Sequence, residues 1–286
     1  MRVLLTNRSL NDHAGSELVT VELAEGFMRR GDEVTIYAPT KLVGPLDVSH
    51  LNVVSDVPAV YGFDLLWVHH GLVVYDAWPG HGSAKIVFNH MGTGPIEMPP
   101  DGYAGREAAM ASLVLANCGE TQETLPECLI SKARLFQNPA PLAFETGAGV
   151  GIGDTEGAII YRRDNLPREL EGHGLTPYTG GTRITGSELD KYEFVVTNGK
   201  TVQYCLRAGV PVYVYGPWGG PGWLTEKNFA QAEYFNFSGR GFDSKSRREI
   251  EADLADIPEP MKCPNRFKLE IVLDSVINDL FPEGAP

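Results

Sequence analysis

The sequence predicts an α/β protein of two domains built around parallel sheets. Three observations carry that prediction. Continuously apolar runs of strand length recur along the chain, the pattern of parallel strands buried on both faces. A segment of helical period joins the first two runs, giving a strand–helix–strand unit whose crossover is long enough for parallel pairing. A Gly-, Ala- and Thr-rich stretch over residues 138–156 then breaks the pattern before a second α/β series begins.

Taken in order, Arg2–Thr6 reads as a strand and Asn7–Ser16 as a polar loop. Residues 17–30 read as a helix, with Leu18, Val21, Leu23, Ala24, Phe27 and Met28 at helical spacing and Gly31 as its stop. Strands follow at 33–38, 65–69, 85–89, 112–116 and 134–136; His69-His70 and His90 stand at the carboxyl ends of two of them. Residues 141–156 read as a linker between an N-terminal domain at 1–140 and a C-terminal domain at 157–286. The second domain reads as strands at 158–161, 192–197 and 210–215 and helices at 167–172, 202–208, 245–253 and 267–281, with Gly216–Gly222 as a glycine-rich loop. Ligands of open parallel sheets bind beyond the carboxyl ends of the strands, so a cleft between the domains and the loops at those ends are the expected binding region.

Composition narrows the function. With 24 Lys plus Arg against 37 Asp plus Glu, the 286-residue chain carries a formal charge of −13. That balance speaks against general nucleic-acid binding, which runs on phosphate neutralisation, so no nucleic-acid partner is expected. The four cysteines, Cys118, Cys128, Cys205 and Cys263, form no CxxC pair, and no HxxxH or HExxH occurs, so no metal site is expected. The N-terminus enters a strand at once, without a signal-peptide apolar region, and no run reaches membrane-spanning length. A cytoplasmic protein with no integral membrane segment is the expectation.

The motif with most chemical content is Thr197-Asn198-Gly199-Lys200-Thr201, between a strand and a helix. A helix start offers free N–H groups and the positive dipole end, glycine lets a phosphate approach, and lysine adds charge. It reads either as a diphosphate seat or as a plain strand–helix turn. It is not a Walker A loop, since Phe194 stands where the first glycine belongs. Gly219 and Gly220, in the glycine-rich loop, allow close ligand approach or make a tight turn. Gly15 and Ser16 follow the first strand but lack the three glycines of a dinucleotide fingerprint. His90, before Met91-Gly92-Thr93-Gly94-Pro95, is either a hydrogen-bond donor or base, or a structural histidine. Arg162 and Arg163 end a strand where a guanidinium would bind a diphosphate bidentately, or form a solvated pair. No GxSxG elbow occurs.

With these residues placed, the chain resembles the GT-B glycosyltransferases of the group-1, family-4-like type, in a short bacterial variant. The likeness lies in Val3-Leu4-Leu5-Thr6, Ala14-Gly15-Ser16-Glu17 and Arg30-Gly31-Asp32-Glu33-Val34-Thr35; in Asn117 and Asn138-Pro139; and in Gly199-Lys200-Thr201 with Ala208-Gly209-Val210-Pro211-Val212. The resemblance implies two facing Rossmann-like domains and a metal-independent, retaining hexosyltransferase, as in polysaccharide biosynthesis. It implies transfer from a nucleotide-diphosphate sugar, a substrate rather than a cofactor, to a glycan, lipid-linked or small-molecule acceptor. His90, Lys200 and Arg162 take the catalytic places, and Gly15, Ser16, Arg163, Asn198, Gly199, Thr201, Gly219 and Gly220 the nucleotide-sugar contacts. The family's E-x7-E pair is missing: counted from Glu226, its second member falls on Tyr234. That gap motivates two rivals, a non-catalytic nucleotide- or glycan-binding protein and a nucleotide-sugar epimerase on the same fold.

Overall fold

A computed structural model describes residues 1–40, 44–58, 62–70, 82–145, 157–160, 167–177 and 183–282. The chain forms two units: residues 1–137 with the segment from Leu269 onward, and residues 138–268.

The first unit holds β1 (Arg2–Thr6), α1 (Gly15–Arg29), β2 (Glu33–Tyr37), β3 (Val53–Val54), β4 (Leu65–Val68), β5 (Lys85–His90), α2 (Ala104–Met110), β6 (Leu113–Ala116), α3 (Gly119–Thr124), α4 (Glu127–Ile130) and β7 (Ala133–Leu135). Its strands make one parallel seven-stranded sheet in the order β3-β2-β1-β4-β5-β6-β7. Alternate residues of β1 face opposite sides. Val3 and Leu5 pack with Leu23 and Phe27 of α1, while Leu4 joins Leu66, Ile86 and Phe88 on the other face. Burial on both faces is why these strands read as unbroken apolar runs.

The second unit holds β8 (Ala158–Ile159), β9 (Thr176–Pro177), α5 (Gly186–Leu189), β10 (Val195–Thr197), α6 (Lys200–Ala208), β11 (Val212–Gly216), β12 (Gly219–Trp223), α7 (Phe229–Tyr234) and α8 (Arg247–Leu254). Its sheet runs β12-β11-β10-β8-β9, parallel except for the antiparallel edge strand β12. Val202, Cys205 and Leu206 of α6 cover one face with Val195, and Ile250 of α8 covers the other with Val196 and Tyr213.

Three expectations change. The final helix, α9 (Leu269–Leu280), belongs to the first unit rather than to a C-terminal domain running to the end of the chain. Its apolar stripe of Leu269, Leu273, Val276, Ile277 and Leu280 packs into the core with α1. Gly26 of α1 makes that crossing close, because a Cβ there would stand 3.2 Å from Leu273 Cδ2. Residues 142–144 of the expected linker form a 3₁₀ turn whose Phe144 is buried in the second unit's core, stacked at 4.1 Å on Tyr204. The rest of that linker, 146–156, lies outside the described residues. The expected loop Gly216–Gly222 is a hairpin: Tyr213 pairs with Trp223, Val214 with Gly222 and Gly216 with Gly219.

Each sheet has a topological switch point, where strand order reverses and a crevice opens beyond the strand ends. In the first it lies between β1 and β4, and in the second between β8 and β10.

Candidate functional site

At the first switch point the chemistry is set by three histidines. His69 is fully buried. Its Nε2 accepts from Trp67 Nε1–H at 3.3 Å and from Asn89 Nδ2 at 2.8 Å, so its proton sits on Nδ1 and is donated to Thr20 Oγ1 at 2.9 Å. Thr20 passes its own proton to Ser16 O, and Asn7 Nδ2 closes the network onto Thr20 and Ser16. Burial, with the neighbouring His70 and His90, pulls the His69 pKa down to about 3, so this ring is a neutral connector of β1, α1, β4 and β5.

His90 is the opposite case. Burial alone would lower its pKa, but the Glu107 carboxylate at 2.5 Å and the Glu97 carbonyl at 2.7 Å outweigh burial and raise it. A carbonyl and a carboxylate both accept, so both ring nitrogens donate and His90 is an imidazolium paired with a fully buried Glu107. Its ring nitrogens hold the 91–97 loop and α2. Expected as a contact to sugar or acceptor, it is placed by the structure as a support for that loop.

His70 adopts φ 57, in the left-handed region that few non-glycine residues enter and that histidine enters more readily than most. That turn aims Nδ1 at Arg8 N–H, 3.3 Å away, and Nε2 at Glu97 Oε1, 3.1 Å away. Sequence reasoning missed Glu97, which carried no motif signal beyond lying after a glycine-rich strand end.

Gly15 and Ser16 start α1, but that helix end is occupied. Glu17 is buried in the first turn, where Oε1 accepts from Ser9 Oγ at 2.7 Å and Oε2 from Asp12 N–H at 2.7 Å. A fixed carboxylate there satisfies the dipole and repels phosphate. The nucleotide contact expected of Gly15 and Ser16 is therefore disfavoured.

The second switch point differs in sign. α6 starts at Gly199, which has φ 61 and no side-chain cap, and no acidic residue stands in its first turn. Among the described residues, a Cβ on Gly199 would meet no atom within 4 Å. Thr197 Oγ1 donates to Ile160 O at 2.8 Å, tying β10 to β8 across the switch point. Asn198 and the 236–241 loop flank this turn. Gly199 N–H donates to Phe237 O at 2.9 Å, and Asn236 and Phe237 have φ 50 and 54. Thr201 is half-buried in the first turn of α6. Backbone N–H groups at such an end bind anions.

Lys200 departs from expectation. Its ammonium donates to Asn138 O at 2.9 Å and Pro139 O at 2.7 Å and lies 4.7 Å from the Tyr204 ring centre. It clamps the chain entering the second unit instead of projecting over Gly199. Gly219 and Gly220 also serve the fold. A Cβ on Gly219 would stand 2.6 Å from Asp243 O, and one on Gly220 2.2 Å from Val214 O, so protein backbone fills the space expected for ligand. Arg162 and Arg163 lie outside the described residues. Among the described residues no group of His, Cys, Asp and Glu is arranged to hold a metal ion, and no helix is long and apolar enough to cross a membrane.

No protein-family model matches the chain, and no curated protein is similar to it in sequence. Solved structures share its fold. AviGT4, a glycosyltransferase involved in avilamycin A biosynthesis, matches at TM-score 0.58 and 13% identity over 98% of this chain and 97% of its own. An α-glucosyltransferase solved with UDP and a 13-mer DNA containing an HMU base matches at 0.55 and 10% over 98% and 99%. A glycosyltransferase from Rickettsia africae ESF-5 matches at 0.53 and 10% over 99% of both chains. The DNA in such structures corrects the expectation of no nucleic-acid partner: this fold carries DNA-bound enzymes. Net charge is a sum over the whole surface, whereas DNA is bound by a local patch, so −13 does not exclude it. The chain has the GT-B glycosyltransferase fold, a mixed α/β architecture with a seven-stranded parallel sheet.

Proposed function

We propose that this protein is a glycosyltransferase that takes a sugar from a nucleotide-diphosphate donor and passes it to a hydroxyl acceptor. One observation carries the reading: among the described residues, α6 starts at a glycine, with no described atom within 4 Å of a Cβ placed there and no acid in its first turn, whereas α1 is plugged by Glu17. The diphosphate would lie on the amides of the first turn of α6, whose partial positive charge stabilises the leaving group as it departs. Arg162 or Arg163 would add the guanidinium. Lys200 would hold that turn in place rather than touch the phosphates. The GT-B neighbours solved with UDP support a nucleotide donor.

The retaining outcome, the hexose and the absence of a metal requirement belong to this same proposal. The test is a melting-temperature panel of UDP, GDP, dTDP, CDP and ADP with and without EDTA, then transfer assays on glycan, lipid-linked and DNA acceptors. A ligand at a hundredfold excess over its dissociation constant stabilises by about 2.7 kcal/mol. Selective, EDTA-insensitive stabilisation by one diphosphate, followed by product, supports the reading; no response to any nucleotide refutes it. A second reading, nucleotide binding without transfer, draws on the inward ammonium of Lys200 and is marked by stabilisation with no product from any acceptor.

A further inference from the structure

We infer that the segment from Met91 to Met98 is a proton-gated strap at the carboxyl edge of the first sheet: His90 pins it through a ring that donates at both nitrogens, and loss of one of those protons frees it. Every contact involved lies within the first unit, and none depends on the donor site.

The strap leaves β5 and is tied down at three places. Asn117 Nδ2, just past β6, donates to Met91 O at 2.6 Å. His90 Nδ1 donates to Glu97 O at 2.7 Å. His70 Nε2, beyond β4, donates to Glu97 Oε1 at 3.1 Å, while its Nδ1 accepts from Arg8 N–H, beyond β1, at 3.3 Å. A chain of bonds thus runs from the end of β5 past β4 to β1, at the switch point where open sheets bind ligands. Between the ties the strap folds on itself, with the N–H groups of Glu97 and Met98 donating to Gly94 O at 2.9 and 3.1 Å.

The His90 tie differs from the other two in needing a charge. A carbonyl oxygen cannot donate, so Nδ1 must carry a proton to hold Glu97 O. Nε2 faces Glu107 Oε1 at 2.5 Å, with a second proton between them. Once one proton is removed, the other has two places to stay. On Nδ1, it leaves the Nε2 lone pair against a fully buried carboxylate; beside Glu107, it leaves the Nδ1 lone pair against a neutral carbonyl. A hydrogen bond to an ionised group is roughly twice as strong as a neutral one, and a buried carboxylate without its donor is the costlier defect. The proton stays with Glu107, and the strap is released. The His70 tie does not switch this way, because that ring holds one proton and accepts at its other nitrogen.

Among the described residues, the groups that face His90 set the direction. Burial opposes its charged form, while Glu107 of α2 and Glu97 of the strap favour it and prevail. His69 at the end of β4, with His70 beside it, also faces His90, and burial keeps His69 neutral. β6 brings Ala116 and, just past it, Asn117, neither of which titrates. The strap is therefore closed on the acid side of the His90 transition and open on the alkaline side.

The experiment follows the isotope-labelled full-length protein by NMR from about pH 5.5 to about pH 9.5, spanning the range above an ordinary histidine. It reads the His90 ring nitrogens and the solvent exchange of the Glu97 and Met98 amides, corrected for the intrinsic pH dependence of exchange. One midpoint above 6.5, shared by the ring and both amides, is expected. Amide protection falls by about tenfold or more on the alkaline side while far-UV circular dichroism is unchanged. Glu107→Gln gives the sharper contrast: its amide donates to Nε2, so a neutral His90 keeps its proton on Nδ1 and the strap stays pinned with no step across the range. A step in Glu107→Gln that matches the parent overturns the inference. So does a parent His90 that loses its proton while the strap amides stay protected, a strap that loosens where His90 does not titrate, or a ring that keeps both protons until the protein unfolds. If Glu107→Gln does not fold, the outcomes in the parent protein decide.

Discussion

Replacing Lys200 separates a lysine that holds the fold from one that holds the ligand. Lys200→Met keeps the stem and removes the ammonium. Two carbonyls, Asn138 O and Pro139 O, then lose a charged donor, and the Tyr204 face loses its cation. Hydrogen bonds to a charged donor contribute roughly 1.5–3 kcal/mol each, and a cation–π contact about 0.5–2 kcal/mol. Against this, the buried ammonium no longer has to be desolvated, which returns several kcal/mol of the gross sum. The net is a loss of about 2–3 kcal/mol. Urea unfolding followed by far-UV circular dichroism reads it as a midpoint lowered by about 1 M at unchanged slope, for a slope of about 1–3 kcal/mol/M. Nucleotide affinity, measured below the transition, changes by less than about threefold. A variant as stable as the parent to within about 0.5 kcal/mol, but with nucleotide binding lost tenfold or more, would refute this and put the ammonium on the ligand.

Other consequences follow from the same geometry. His69 is nearly unprotonated in the fold down to about pH 3 but takes a proton near pH 6.5 when unfolded. Its contribution is therefore complete above pH 6.5 and falls with acid, by about 1.4 kcal/mol at pH 5.5, and a His69→Asn variant shows a flatter acid limb. His90 runs the other way: its raised pKa makes its contribution largest at low pH and loses it as pH climbs through the folded value. Histidine ring proton resonances check both, with His69 not titrating between pH 4 and 8 and His90 titrating above 6.5. Gly26→Val drives a side chain into Leu273 and Leu269 and costs about 1–3 kcal/mol, read as lower thermal stability of the unit that α9 completes. Gly220→Ala collides with Val214 O and Tyr215 Cα and costs a similar amount with nucleotide affinity retained in the folded fraction, whereas Trp218→Ala, at a residue 66% exposed, changes stability by less than about 0.5 kcal/mol.

The strands of the first sheet were legible because a parallel strand covered on both faces leaves an unbroken apolar run, as in Val3-Leu4-Leu5 and Leu65-Leu66-Trp67. The β10–Gly199–α6 turn was legible for the same reason, with its glycine at the strand end. β12 was hidden because Gly219-Gly220-Pro221-Gly222 carries loop composition, although the glycines are there to let the 243 backbone and the β11 backbone come close. The apolar stripe of α9 was visible, but periodicity does not say which sheet a helix covers. The histidines announced themselves at strand ends, yet their roles depend on Glu97 and Glu107, which stand 7 and 17 residues beyond His90 without any motif of their own. Lys200 was visible as a charge, and only the fold shows that two carbonyls hold it.

The central claim is that the donor diphosphate lies on the start of α6, and backbone amide shifts during a titration of the isotope-labelled protein with UDP, or with whichever diphosphate the melting panel selects, test it most directly. The account predicts saturable shifts centred on the amides of Gly199, Lys200, Thr201 and Val202, with Gly15, Ser16 and Glu17 unmoved. Shifts centred on Gly15–Glu17, or saturation without movement at Gly199–Val202, would contradict it.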